Sequence, residues 1–235
     1  MDIYVRPGDS FWYYSQLFRI PLQLIIDSNR NINPQTIQQG QRIQIPAYVA
    51  QNYQIKSGDS LWSIAMSRNL PLDTLFLINP NLNPNRLQIG QTIQVPLRIT
   101  WRLVNGKQNY TYEVMMNDIQ RLQTVYPFLQ VSSIGNSVLN RSIPEVLIGI
   151  GDKRVAYNGS FHANEWITTP TIMTFLNDYA LSLTNQTTIR GLITSPLYEQ
   201  TSLSIVPMVN PDGVNLVLNG PPELEPYRSN VIEWN

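Results

Sequence analysis

Apolar and polar residues in the first hundred positions follow a pattern that occurs twice, 50 residues apart, with Gly58 matching Gly8. Each copy begins with a short run of alternating apolar residues, which predicts a strand, and continues through a Gly-Asp-Ser turn into helical apolar spacing. Pro21 and its repeat Pro71 fit the first turn of a second helix, where a missing N–H does no harm. Because the repeat needs no gap, the sequence predicts one β-α-α-β unit used twice. The predicted strands are 3–5, 42–45, 53–55 and 92–95.

From Tyr110 onward the pattern changes to helical and strand-like segments in alternation. The turn residues at 136–140 separate two apolar runs and indicate a hairpin, so part of the sheet is expected to be antiparallel. This order of segments predicts an α/β sandwich with a mixed sheet. The predicted helices are 112–126 and 166–183, and the predicted strands are 129–134, 144–150, 154–161 and 203–209.

The only histidine, His162, follows a predicted strand, and Glu165 comes three residues later. Ligands in open α/β sheets gather beyond the carboxyl ends of strands, and zinc accepts imidazole and carboxylate ligands. A second apolar strand ends in the turn Asn210-Pro-Asp-Gly213, which is expected at the same edge. The pair alone is a weak signal, because a hydrogen-bonded loop histidine is the common alternative.

Composition excludes several classes of function. The chain has 235 residues, 16 basic and 16 acidic, so its net charge of zero does not favour nucleic-acid binding. No apolar run is long enough to span a bilayer, and the start of the chain lacks the basic and apolar segments of a signal peptide. With no cysteine there is neither a disulfide framework nor a thiolate metal site.

The repeated unit resembles the LysM module over residues 2–46 and 52–96, through Gly-Asp-Ser, the central Asn, Gly-Gln and the closing Ile-X-(Ile/Val)-Pro. The resemblance implies binding of peptidoglycan or related N-acetylglucosamine glycans between the loop after the first strand and the loop before the last. Helix caps and turn formers are the structural alternative for the same residues. The implied glycan contacts are Gly8, Asp9, Ser10, Phe11, Ser28, Asn29 and Asn31 in the first copy, and Gly58, Asp59, Ser60, Leu61, Ile78, Asn79 and Asn81 in the second.

After a junction at 97–109, the region 110–235 resembles the zinc carboxypeptidases of the M14 family. With LysM modules in front, it is most similar to the bacterial γ-D-glutamyl-L-diamino acid endopeptidases. That resemblance implies the first part of an M14-type α/β/α sandwich and cleavage of the γ-D-Glu–meso-diaminopimelate bond in peptidoglycan stem peptides. The residues that carry it are Ile134–Ser137, Arg141–Ile143, His162–Thr168 and Asn210–Gly213.

The resemblance also implies roles for individual residues. His162 and Glu165 would be zinc ligands, and the metal would polarise the scissile carbonyl and activate a water. Asn210 and Asp212 would shape the floor of the site rather than take part in chemistry. Arg228 lies where the family places an oxyanion-stabilising arginine, although an ordinary surface arginine fits the sequence equally well.

Three family features are missing from these 235 residues: the second histidine ligand, the Asn-Arg pair that binds the substrate carboxylate, and the late glutamate base. Asp212, Glu223 and Glu233 are available as a substitute third ligand, but the general base would still be absent. The sequence therefore predicts part of a longer enzyme, inactive alone, with an exposed strand edge that favours aggregation or pairing.

Two alternatives to a peptidase remain from the sequence. One is a non-catalytic LysM protein that binds peptidoglycan or chitin and retains a residual peptidase fold. The other is a scaffold whose modules assemble on a wall or spore layer without hydrolysis. We expect a cytoplasmic location, associated with sporulation, because the start of the chain lacks a signal peptide; the cell wall or spore surface is the alternative.

Overall fold

A computed structural model of the protein describes residues 1–233, so the last two positions of the predicted catalytic region lie outside the described residues. The chain divides into two compact units. The first contains residues 1–101 together with 124–128 and 183–185, and the second contains the other described residues.

The first repeat forms the predicted β-α-α-β unit. Strand β1 pairs antiparallel with β2, and Ile3 lies opposite Ile43 with both side chains buried. The first helix begins at the residue expected from the pattern, because the Ser10 hydroxyl caps it by accepting the N–H of Tyr13. The elements are β1 (Asp2–Tyr4), α1 (Phe11–Phe18), α2 (Leu22–Asp27) and β2 (Arg42–Gln44).

The second repeat has the same order around its own core of buried aliphatic residues. Ser60 caps its first helix and forms a capping box with Ser63. Its strands are longer than those of the first repeat and pair from Tyr48↔Arg98 to Gln54↔Thr92. The elements are β3 (Tyr48–Gln54), α3 (Leu61–Met66), α4 (Asp73–Ile78) and β4 (Thr92–Arg98).

The stretch between the two repeats is strand, not a flexible linker, because β3 begins at Tyr48. The Tyr48 side chain is buried, and its hydroxyl donates to the carbonyl of Phe18 at 3.0 Å. The two rings also meet edge to face at 5.2 Å. Strand β3 is therefore anchored in the first repeat while it forms the sheet of the second.

The second unit contains the predicted mixed sheet, in the order β5-β6-β10-β7. Strand β10 runs parallel to β7 and antiparallel to β6, and the predicted hairpin between β5 and β6 is present. Strands β5 and β7 are the edges of this four-stranded sheet among residues 1–233. The strands are β5 (Gln130–Asn136), β6 (Ser142–Ile148), β7 (Lys153–Asn158), β8 (Thr188–Ile189), β9 (Leu192–Ile193) and β10 (Thr201–Val206).

The helices after the first strands of this unit differ from the sequence prediction at the starts of α6 and α8, and α7 and α9 were not predicted. The expected helix from Trp166 begins at Thr168, after a separate 3-10 turn at Ala163–Glu165. The Asn-Pro-Asp-Gly segment is the first turn of a helix capped by Asn210, whose side chain accepts the N–H of Gly213. The helices are α5 (Tyr112–Val125), α6 (Thr168–Asn185), α7 (Ser195–Gln200), α8 (Pro211–Asn219) and α9 (Tyr227–Glu233).

Among residues 1–233, every helix is too short or too polar to cross a lipid bilayer.

Candidate functional site

His162 immediately precedes the 3-10 turn between β7 and α6, and Glu165 is the last residue of that turn. The imidazole Nδ1 is 3.0 Å from the Glu165 Oε1, and the other carboxylate oxygen accepts the His162 N–H at 3.2 Å. The side chains are 71% and 45% exposed. Hydrogen bonds from the His162 side chain and backbone lower the pKa of the Glu165 carboxyl. An imidazole and an ionised carboxylate therefore converge on one accessible point.

A network of hydroxyl groups on the buried side of this turn supports it. Ser160 adopts a positive φ of 50° and is 1% exposed. Its N–H donates to the Thr168 Oγ1 at 2.6 Å, and Thr168 donates to the carbonyl of Glu165 at 2.8 Å. The Ser160 hydroxyl lies 2.6 Å from that of Thr169, which donates to the carbonyl of Pro207. The network ties the turn to the first turn of α6 and to the segment after β10.

The backbone after β7 also pairs with the segment that leads to α8. Gly159 donates to the carbonyl of Val206, and Asn210 donates to that of Ser160, both at 3.0 Å. Only glycine fits at position 159, because a Cβ there would lie 2.7 Å from the carbonyl oxygen of Pro207. Because β10 pairs parallel with β7, the loops that follow these two strands lie together at the carboxyl ends of the strands, as the sequence predicts.

Asp212 connects α8 to the β5–β6 hairpin. Its carboxylate accepts hydrogen bonds from the Ser137 hydroxyl at 3.0 Å, the Leu139 N–H at 2.9 Å and the Arg141 guanidinium at 2.9 Å. These contacts give both Asp212 and Arg141 a structural role.

The structure does not supply a substitute third metal ligand within the described residues. No group of three His, Cys, Asp or Glu side chains among residues 1–233 could hold a metal ion. Asp212 is occupied by the hairpin, whereas Glu223 and Glu233 are exposed in the loop after α8 and in α9. Within the described residues, none of these three carboxylates therefore joins the His162–Glu165 pair as a third ligand.

The residues present fit part of a zinc site. Zinc bonds to nitrogen and oxygen are about 2.0–2.2 Å long, which places two tetrahedral ligand atoms about 3.3–3.5 Å apart. The 3.0 Å between His162 Nδ1 and Glu165 Oε1 is close to that separation. The pair thus has suitable donor atoms and spacing for two coordination positions.

Arg228 is exposed on α9. Its backbone N–H bonds to the Leu224 carbonyl, and its guanidinium makes no hydrogen bond within residues 1–233. The structure gives no contact that links it to the His162–Glu165 turn, so its oxyanion role stays a prediction.

In the first repeat, the residues implied in glycan binding divide into buried and accessible ones. Phe11, Ser28 and Asn29 are buried, and the amide of Asn29 donates to the carbonyls of Ile25 and Gln44. Gly8 and Asn31 are exposed, whereas Asp9 and Ser10 are half-buried. A cavity of about 320 Å³ is lined by Ser28, Asn29, Arg30, Asn31, Ile32, Arg42 and Gln44.

The second repeat gives most equivalent positions the same environment. Asn79 donates to the carbonyls of Leu75 and Gln94, Leu61 is buried, and Ser60 caps α3. Asp59 accepts the N–H of Lys56 and the hydroxyl of Tyr53. The other implied contacts are Gly58 and Asn81, which are exposed, and Ile78, which is half-buried.

The sequence did not point to the residues that position these sites. Ser160, Thr168 and Thr169 support the His162–Glu165 turn, and Asp73 of the second repeat contacts Arg6 of the first. The two consecutive threonines that follow the His-Glu pair could have indicated the hydroxyl network, because they are close to the pair in the chain. Asp73 has no such signal, because its partner lies 67 positions away in the chain.

Both the repeated region and the α/β region match known protein families. The LysM domain profile matches residues 3–46 and 53–96, and the zinc carboxypeptidase profile matches residues 115–231. A solved carboxypeptidase A from Helicoverpa armigera is 25% identical over 48% of this chain and 27% of its own, with a TM-score of 0.39.

Two curated bacterial relatives are similar over longer stretches. Gamma-D-glutamyl-L-diamino acid endopeptidase 1 of Lysinibacillus sphaericus is 75% identical over the whole of this chain, which spans 59% of the relative's length. The uncharacterized protein YqgT of Bacillus subtilis (strain 168) is 37% identical over 59% of this chain and 40% of its own. The chain therefore contains two LysM domains followed by an α/β region similar to the zinc carboxypeptidases, and its whole length is similar to part of a gamma-D-glutamyl-L-diamino acid endopeptidase.

Proposed function

We propose that these residues form the wall-binding part and the first portion of the catalytic part of a peptidoglycan-stem endopeptidase. The LysM domains bind peptidoglycan, and the peptidase region contributes to cleavage of the γ-D-Glu–meso-diaminopimelate bond. The observation that carries the proposal is the 3.0 Å approach of His162 Nδ1 to Glu165 Oε1 at an exposed sheet edge. The name and 75% identity of the Lysinibacillus sphaericus relative support the choice of bond.

His162 and Glu165 would hold the zinc ion. When bound, zinc supplies Lewis-acid polarisation of the scissile carbonyl and a water of lowered pKa. The protein's own part is to keep both donor atoms on one side of a fixed turn, which the Ser160 network does by bonding to the Glu165 carbonyl and the α6 hydroxyls. The exposure of both side chains leaves room for a peptide to approach.

The 235 residues alone are proposed to be inactive. Two ligands leave the metal weakly held, and among residues 1–233 no third His, Cys, Asp or Glu side chain joins the pair. Loss of a positioned acid or base typically lowers a rate by about 10²–10⁴-fold.

A paired assay tests the proposal. The purified chain is mixed with insoluble peptidoglycan and pelleted, and a soluble stem peptide containing γ-D-Glu–meso-diaminopimelate is incubated with the chain and zinc. We expect co-sedimentation without cleavage. A chain that stays in the supernatant contradicts wall binding, and rapid cleavage at another bond contradicts the proposed specificity.

The second candidate is a LysM protein that binds peptidoglycan or chitin without hydrolysis, and the missing third ligand among residues 1–233 favours it. The two candidates differ at His162, since only the peptidase requires that side chain to bind zinc. For location we propose the cytoplasm, in connection with sporulation, with the wall or spore surface as the alternative.

A further inference from the structure

Asp73 belongs to the second LysM domain but binds side chains of the first. It lies at the first position of α4, and its carboxylate accepts two hydrogen bonds from the Arg6 guanidinium, at 2.9 and 2.5 Å. The hydroxyl of Tyr13, on α1, donates to the same carboxylate at 2.5 Å. The two domains are therefore joined by a bidentate ion pair and a charge-assisted hydrogen bond, which are strong and geometrically specific.

The same arginine holds the loop implied in glycan binding by the first domain. The Arg6 Nε donates to the Asp9 carboxylate at 3.0 Å, and its backbone N–H donates to the same group at 3.1 Å. Asp9 also accepts the Tyr14 hydroxyl at 3.0 Å, and its side chain is only 8% exposed. A continuous chain of contacts thus runs from Asp73 through Arg6 to the Gly-Asp-Ser loop.

Comparison of the two repeats shows that the second domain supports the loop of the first domain, whereas in the described part of the chain the first domain gives the loop of the second no equivalent contact. Lys56 stands where the first domain has Arg6, and its ammonium group forms no ion pair within residues 1–233. The position that matches Asp73 is Gln23, whose amide bonds to Asp27 within its own domain. Among the contacts of residues 1–233, the loop of the second domain is therefore held by its own domain, through Tyr53 and Lys56 to Asp59.

We propose that Asp73 is a positioning residue for the glycan loop of the first LysM domain, so that the first domain binds glycan more tightly than the second. This inference rests on the proposed glycan binding. A loop held in place before binding loses less conformational freedom when the ligand arrives, which raises affinity without any new contact. Asp73 itself need not touch the glycan.

Nuclear magnetic resonance on the full chain tests the two loops separately, because each contains one glycine, Gly8 or Gly58, with its own amide signal. The probe is a soluble tetramer of N-acetylglucosamine. In the unchanged protein, we expect Gly8 to report a lower Kd than Gly58. In Asp73→Asn, we expect the Kd from Gly8 to rise about fivefold to tenfold, as expected from lost preorganisation, and that from Gly58 to stay the same.

Two further variants serve as controls. Asp73→Glu keeps the carboxylate and is expected to restore most of the Gly8 affinity. Asp178→Asn breaks the ion pair of Arg102 with Asp178 in the other compact unit, where both contacts are 2.6 Å, and is expected to leave both glycines unchanged.

Three results would overturn the inference. The Kd values from Gly8 and Gly58 could be equal in the unchanged protein, they could rise equally in Asp73→Asn, or neither could change in that variant. If neither glycine responds to the tetramer in the unchanged protein, glycan binding itself fails, and the positioning role fails with it.

Discussion

A Cβ atom added to Gly213 would lie 2.8 Å from the Cβ of Ala163, a distance shorter than real side chains tolerate. The two residues join the first turn of α8 to the turn that carries His162 and Glu165. The glycine in Asn-Pro-Asp-Gly is thus required by packing against the candidate metal turn and against the capping side chain of Asn210, whose Nδ2 would lie 2.6 Å from the added Cβ.

Replacing Gly213 by alanine should therefore destabilise the second unit. We expect a loss of about 1–3 kcal/mol in the free energy of unfolding, the usual cost of overpacking, measured by urea denaturation. The double variant Gly213→Ala with Ala163→Gly removes one of the two clashing methyl groups and should recover part of the loss. An unchanged midpoint in the single variant would contradict the packing.

Asp212→Asn should be costly because this carboxylate satisfies three donors at once. We expect a loss of about 1.5–3 kcal/mol in unfolding free energy, typical of hydrogen bonds to a charged group. Asp178→Asn is the matched control, since its partner Arg102 is 59% exposed and exposed pairs contribute about 0.2–1 kcal/mol. Equal losses of unfolding free energy in the two variants would argue against the anchoring of the β5–β6 hairpin by Asp212.

Asn29 and Asn79 should affect stability whatever their part in glycan binding. Each amide donates to two backbone carbonyls and accepts one N–H within its own domain. Alanine at either position leaves these groups unpaired, so we expect a loss of about 1–3 kcal/mol in unfolding free energy. Circular dichroism melting checks this, with Asn31→Ala, an exposed neighbour, expected to melt like the unchanged protein.

The Asp73 contact predicts a pH dependence of stability. The Arg6 guanidinium, with the Tyr13 hydroxyl as a smaller cause, lowers the pKa of the Asp73 carboxyl below its ordinary 3.8. Because the folded-state pKa is depressed, the stabilisation is complete above the ordinary value and is lost as pH falls through the folded-state value. Unfolding free energy should therefore decline below about pH 4, and less steeply in Asp73→Asn. Parallel curves for the two proteins would contradict the contact.

Local sequence patterns were sufficient for the repeat, the mixed sheet and the position of the His-Glu pair. Each depends on residues that are neighbours in the chain or on strand order, as with Ser10 at the start of α1 and the strand before His162. The start of α8 was missed because Asn-Pro-Asp-Gly fits both a turn and a capped helix, although proline at the first helical position favours the helix.

Contacts between residues that are far apart in the chain could not be predicted from the sequence. Asp212 lies 75 positions from Ser137, and Asp73 lies 67 from Arg6, so neither partner could be chosen from spacing. The buried role of Asn29 was also hidden, since an asparagine before a turn has the same appearance whether its amide faces the ligand or the backbone of its own domain.

The most direct test of the account is a zinc titration of the chain labelled with 15N-histidine and made without a histidine tag. Because His162 is the only histidine, both imidazole signals belong to it. We predict a saturable shift centred on Nδ1, reversed by a chelator and weakened in Glu165→Gln, as expected for two ligands of a three-ligand site. No response of either nitrogen, or the same response in Glu165→Gln, would contradict the assignment of His162 and Glu165 as a metal pair.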